Sequence, residues 1–81
     1  METNQSLNVV LYTRDGCHLC EEAQEMLGEF GIVPTLINID DDPDLHKRFD
    51  TCVPVVEIDG KIRFRGRVDR ILLRRILLGG G

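Results

Sequence analysis

Residues 9–30 restrict the possible folds more than any other stretch of this chain. Val9-Val10-Leu11-Tyr12 reads as an alternating apolar strand, covering about 8–13, that ends in a turn, Thr13-Arg14-Asp15-Gly16. Cys17-His18-Leu19-Cys20 comes next and opens an amphipathic helix over about 18–30. Cys20, Ala23, Met26, Leu27 and Phe30 share one face of that helix, and Glu21, Glu22, Glu25 and Glu29 take the other. Gly31 is placed to end it. The next apolar segment, residues 35–39, then reads as a second strand. A helical crossover between the two strands makes them parallel.

The remainder is punctuated by local signals. Asp42 can cap a short helix that has Pro43 at its first position and runs through about Phe49. Residues 53–58 (Val-Pro-Val-Val-Glu-Ile) read as a third strand, and Asp59-Gly60 is a two-residue hairpin turn. Lys61-Ile62-Arg63-Phe64-Arg65 alternates strictly and carries the charge expected of an exposed sheet edge. Gly66 breaks this strand, Asp69 caps, and residues 71–78 form a last helix with a broad apolar surface, part of which could stay exposed. Gly79-Gly80-Gly81 should fray. The predicted order is β-α-β-α-β-β-α in one α/β domain spanning residues 1–81, a length that leaves no room for two cores.

The position of the cysteine pair carries the chemistry. Unpaired N–H groups and the positive end of the helix dipole face the sulfur of Cys17, which favours thiolate over thiol. Cys20 lies one turn further on, along the apolar side, so Cys17 is the expected attacking sulfur and Cys20 the resolving one. His18, when protonated, would stabilise the thiolate; otherwise it is a solvated side chain. Glu21 and Glu22 in the same turn oppose the thiolate in part. Arg14, three residues ahead of Cys17, carries a guanidinium whose shape suits carboxylates.

Three cysteines, an odd number, argue against a disulfide framework. No secretory signal is visible and no apolar run approaches about 18 residues, so a cytoplasmic protein off the membrane is expected. Cys17, Cys20 and Cys52 with His18 or His46 could supply four zinc ligands, but a single C-x-x-C lacks the second knuckle, and no metal is assigned. Charge is uneven. Residues 1–60 hold 13 acids and 3 bases and residues 61–81 hold one acid and seven bases, about -10 and +6, which together give the net -4. No aromatic residues are interleaved with the arginines as a nucleic-acid surface needs, so no nucleic-acid partner is expected.

Two separated motifs carry a resemblance. The segment from Leu11 to Cys20 is similar to the glutaredoxin segment in which a base lies three residues before the first cysteine. Thr51-Cys52-Val53-Pro54 stands where that family has its Thr-Val-Pro loop. The chain thus resembles glutaredoxins over about residues 8–78. The resemblance implies a thioredoxin-like fold, with a four-stranded mixed sheet flanked by helices. It implies a small dithiol oxidoreductase that reduces protein or glutathione mixed disulfides through Cys17 and Cys20, with Arg14, His18, Val53, Pro54 and Asp69 at the substrate. Pro54 would be cis and face the cysteines, leaving the Val53 backbone to pair with an extended substrate.

Cys52 takes the place of the family threonine. It could be an accessory resolving thiol, a glutathionylation site or a small buried residue. Arg65-Gly66-Arg67-Val68-Asp69 departs from the family's Gly-Gly-x-Asp, and Asp69 is an N-cap by position as well as a ligand contact by resemblance. The electron donor is therefore open between glutathione, as co-substrate with no bound cofactor, and a flavoprotein of the thioredoxin-reductase kind. A monomer is expected. The other classes are an iron–sulfur or zinc protein and a redox-inactive interaction module that uses the edge of the fourth strand.

Overall fold

The computed structural model describes residues 8–49 and 52–80. Its elements are β1 (Val9–Thr13), α1 (His18–Glu29), β2 (Thr35–Asn38), a 3₁₀ turn (Ile39–Asp41), α2 (Pro43–Phe49), β3 (Val55–Ile58), β4 (Lys61–Arg65), α3 (Arg70–Arg75) and a π-helical turn (Ile76–Gly80). Among the described residues one four-stranded sheet has the order β2-β1-β3-β4. β1 and β2 are parallel, as the helical crossover requires, and β3 runs antiparallel to both β1 and β4. The mixed sheet and element order are those expected from the sequence.

Each face of the sheet buries its own apolar layer. On one side Val9, Leu11, Val56, Ile58 and Phe64 meet Ala23 and Leu27 of α1 and Leu73 of α3. On the other, Ile39, Phe49 and Val55 are buried together, with Tyr12, Leu45, Cys52, Val53 and Ile62 packed against them. Of the apolar stripe of α1, Cys20, Ala23 and Leu27 are buried, and Met26 and Phe30 pack half-buried against the same layer. Its end is a Schellman motif: Ile32 N–H donates to Leu27 C=O (3.0 Å), Gly31 N–H donates to Gly28 C=O (2.9 Å), and Gly31 adopts φ +77°. The Asp59-Gly60 turn has φ +52° and +86°, the two positive values of a type I′ hairpin. Asp42 caps α2 by accepting the Asp44 N–H at 2.9 Å.

The structure corrects four boundaries or faces. The third strand begins at Val55, not Val53: Pro54 has no N–H for the ladder, the Val53–Pro54 bond is cis, and Gly66 N–H donates to the Pro54 carbonyl at 2.7 Å. The second strand stops at Asn38, whose side chain accepts the Asp40 N–H (2.9 Å) and turns Ile39 inward to full burial. The α-helical part of the last helix ends at Arg75, and a π turn follows through Gly80. Leu73 and Ile76 enter the core there, while Ile71, Leu72 and Leu78 stay exposed.

The alternation of β4 is also broken. A bulge shifts the register so that Phe64 faces Val56 and Ile62 faces Glu57, leaving Arg63 between them. Ile62 and Phe64, two residues apart, therefore enter opposite layers. No helix among the described residues is long and apolar enough to cross a membrane.

Tyr12, the chain's one tyrosine, packs its ring against that of Phe49, tilted by 40° with centroids 4.9 Å apart, and donates its hydroxyl to Glu57 Oε1 at 3.0 Å. Its phenol is pushed above its ordinary value of 10.0, first by burial, then by that hydrogen bond and the Glu57 charge, with Arg48 pulling the other way. Folding holds the neutral phenol, so this contribution to stability is complete below the unfolded value and is lost as pH rises through the raised one. Absorbance titration of the folded protein should give a phenolate midpoint above that of a tyrosine peptide; an equal or lower midpoint would contradict the buried contact.

Candidate active site

The sheet register collects four chain segments at one end. Thr13 pairs with Asn38, Tyr12 with Val55 and Val55 with Arg65. Across the strand order, that end therefore presents the Ile39–Asp41 turn, the loop from Arg14 to Cys17, Val53-Pro54, and Gly66-Arg67.

Cys17 is the N-cap of α1, in extended conformation (φ -90°, ψ 107°). Its sulfur accepts the backbone N–H of Cys20 at 3.1 Å, and its carbonyl accepts the Glu21 N–H at 3.2 Å. One of the orphan donors of the helix thus points at the Cys17 sulfur, as the sequence implies. Cys17 and Cys20 form a disulfide, with Cα atoms 5.2 Å apart. Cys17 is half-buried whereas Cys20 is 3% exposed and packs inward from α1. The two cysteines thus differ in exposure, the first half-buried at the helix start and the second in the core.

The other candidate residues divide. His18 is exposed at the first helical position. Pro54 is buried and cis beside half-buried Val53, and no backbone hydrogen bond joins Val53 to another described residue outside the regular elements. Cys52 is a half-buried free thiol; it packs with the layer of Ile39, Phe49 and Val55, and its N–H donates to the Phe49 carbonyl at 2.9 Å. Asp69 is exposed, and its Oδ1 accepts the Ile71 and Leu72 N–H groups at 2.9 and 3.1 Å, the geometry of an N-cap. Thr51 lies outside the described residues. A shallow pocket between the start of α1 and the turn before α3 is lined by Leu19, Glu22, Ala23, Met26, Arg67 and Val68.

Arg14 brings in two residues that sequence reading did not connect to it. Its Nη2 donates to Asp40 Oδ1 at 3.1 Å and lies 3.4 Å from His46 Nε2, which is itself 3.5 Å from Asp40 Oδ1. Asp40 and His46 are 26 and 32 residues away in the chain. The run Asp40-Asp41-Asp42 signals only a helix start. The parallel pairing of β1 with β2 is what sets Arg14 beside Asp40. His46 thus meets Arg14 and Asp40, and among the described residues no three His, Cys, Asp or Glu side chains are placed to hold a metal ion.

A mixed β2-β1-β3-β4 sheet with helices on both faces, a close cysteine pair at a helix start and a cis-proline loop beside it define a protein of the thioredoxin superfamily. The family model of the glutaredoxin-like domain matches residues 8–78, and the chain belongs to that family. It is 32% identical over 75 residues to a glutaredoxin-like protein of Dictyostelium discoideum, the YDR286C homolog, covering 80% of this chain and 69% of that one. Among solved structures, protein XcR50 from X. campestris superposes with a TM-score of 0.73 at 35% identity, over 85% of this chain and 93% of its own. A buckwheat glutaredoxin solved with glutathione shares the fold at 20% identity, with a TM-score of 0.62 over 90% of this chain and 72% of its own.

Proposed function

We propose that this protein is a dithiol thiol–disulfide oxidoreductase that reduces protein disulfides. The observation that carries the reading is the contrast between its two cysteines: Cys17 caps a helix and is half-buried, and Cys20 is in the core one turn behind it. In the reduced protein the Cys17 thiolate attacks a substrate disulfide. A Cys17–S–S–substrate bond forms, the substrate S–S bond breaks, and the departing thiolate takes a proton from water. Cys20 then gives up its proton and its sulfur attacks that of Cys17. This releases the second substrate thiol and leaves the Cys17–Cys20 disulfide, so two electrons have passed to the substrate.

Two equivalents of a thiol such as glutathione, or a reductase flavoprotein, would return the pair to the dithiol. Support for glutathione comes from the buckwheat relative solved with it. The Val53 backbone beside cis-Pro54 offers an edge for an extended substrate, and His18 and the turn around Arg67 would border it. Asp69 supports that turn through its cap.

Replacing Cys20 with serine removes the resolving step. The Cys20→Ser protein, mixed with a disulfide-linked peptide, should accumulate one covalent adduct, mapped by mass spectrometry to Cys17. An adduct on Cys52, or none, would remove the assignment of Cys17 as nucleophile.

A further inference from the structure

α1 and α3 cover the same face of the sheet: Ala23, Leu27 and Leu73 share one buried layer, and Arg70 Nη2 meets Glu29 Oε1 at 2.9 Å. Their outward sides carry opposite charge. His18–Glu29 holds four glutamates, all exposed, and no lysine or arginine. Residues 67–75 hold four arginines, also exposed, against one acid, Asp69, which is engaged as the N-cap. Among the described residues no ion pair within the chain engages Glu21, Glu22 or Glu25 on one ridge, or Arg67, Arg74 or Arg75 on the other.

Two features of this face find no use inside the single chain. Ile71 and Leu78 are 71% and 75% exposed and flank Arg74 and Arg75 at i, i+3, i+4, i+7 spacing, so the outward side of α3 is apolar as well as basic. A helix side that met only water would be polar there. Gly28 is exposed in the last turn of α1, where glycine weakens a helix by up to about 1 kcal/mol relative to alanine. A Cβ at that position would meet nothing within 4 Å, so the chain's own packing does not call for glycine. It leaves a flat place in line with Glu21 and Glu25, seven and three residues earlier.

We propose that this face is a self-association surface and that its occupant is a second copy of the chain. An object of one charge would fit half of the face and be repelled by the other half: an acidic protein or anionic lipid by α1, a basic partner by α3. A second copy carries both signs in the matching order. A two-fold axis along the seam between the helices lays α1 of each copy over α3 of the other, so acidic ridge meets basic ridge twice. The Glu29–Arg70 contact holds Ile71 near the level of Gly28, and the same rotation sets Ile71 toward the flat place on the other copy. A standard interface of about 800 Å² per partner is about one-seventh of the chain's 5356 Å² surface, an area that one face can supply. The proposal is independent of the redox reading.

Sedimentation velocity of the full chain, kept reduced so that no cysteine cross-links the copies, tests it. A dimer should be present at about 100 μM in low salt and dissociate in high salt. Arg74→Glu with Arg75→Glu, and separately Glu21→Arg with Glu25→Arg, should each weaken dimerisation about tenfold or more, because like charges then meet. An equimolar mixture of the two variants should associate again, to within about threefold of the wild type, because each altered ridge then finds its complement. Ile71→Ser, which changes no charge, should weaken the dimer by about threefold or more. Circular dichroism checks that these exposed substitutions leave the fold intact. A wild-type chain that stays monomeric at that concentration, or a mixture that associates no better than either variant alone, overturns the proposal. So does a monomer that cosediments with vesicles of anionic lipid, which would make α3 a lipid-facing helix.

Discussion

Cys17→Ser should abolish disulfide reduction, with a loss of about a thousandfold or more in kcat/KM. A serine hydroxyl in the same N-cap still accepts the Cys20 N–H, so the helix start keeps its geometry. The hydroxyl is, however, a far weaker nucleophile toward a disulfide than a thiolate. Of the remaining cysteines, Cys20 is 3% exposed, and Cys52, half-buried, packs against the layer of Ile39, Phe49 and Val55 away from the start of α1. An insulin or peptide disulfide assay, with circular dichroism to confirm that the fold is retained, checks this. Retained activity in a folded Cys17→Ser protein would rule out Cys17 chemistry and point to Cys52. An interaction module with no redox turnover would instead show no activity in the wild type.

The second large effect lies under the site. Phe49 is 2% exposed, packed against the tilted ring of Tyr12, and has the Arg48 guanidinium 4.7 Å from its ring centroid. It is the largest fully buried side chain of a layer against which Cys52 and Val53, the residues leading into Pro54, also pack. Phe49→Ala should cost about 3–5 kcal/mol through lost burial and the cavity left behind. That is a large share of the stability expected of a small domain, and lowers Tm by something on the order of 25 °C. Thermal or urea denaturation measures it. A cost below about 1 kcal/mol would mean that this layer collapses around the gap and does not brace the loop before Pro54.

What the sequence showed plainly was local. The cap at Cys17, the glycine that ends α1, Asp42-Pro43, Asp59-Gly60 and the cap at Asp69 each depend on a few neighbouring residues, and each stands where its chemistry puts it. Features that depend on distant partners were not legible. Residues 53–58 have the composition of one strand, yet the ladder starts at Val55 because a proline cannot donate to it and its carbonyl is engaged by Gly66. Lys61 to Arg65 alternates perfectly on paper; only the need to fill both layers reveals that Arg63 stands outside the alternation. The pairing of Arg14 with Asp40 needed the β1–β2 register, which fixes position across a sequence separation of 26.

The placement of Arg63 makes the hairpin a keyed fitting. A regular strand can slide by two residues and still show the same face to the same neighbour. β4 has no such freedom, because its two apolar residues belong to different sides and only one setting satisfies both. Removing one residue from the strand would turn Ile62 or Phe64 to the wrong side, and lengthening it would bring a charged neighbour against the apolar interior. The Gly66-Arg67 corner inherits that single setting. A turn that lines the pocket at the start of α1, with Leu19 and Glu22, is thus located by a mismatch inside the sheet, several residues away.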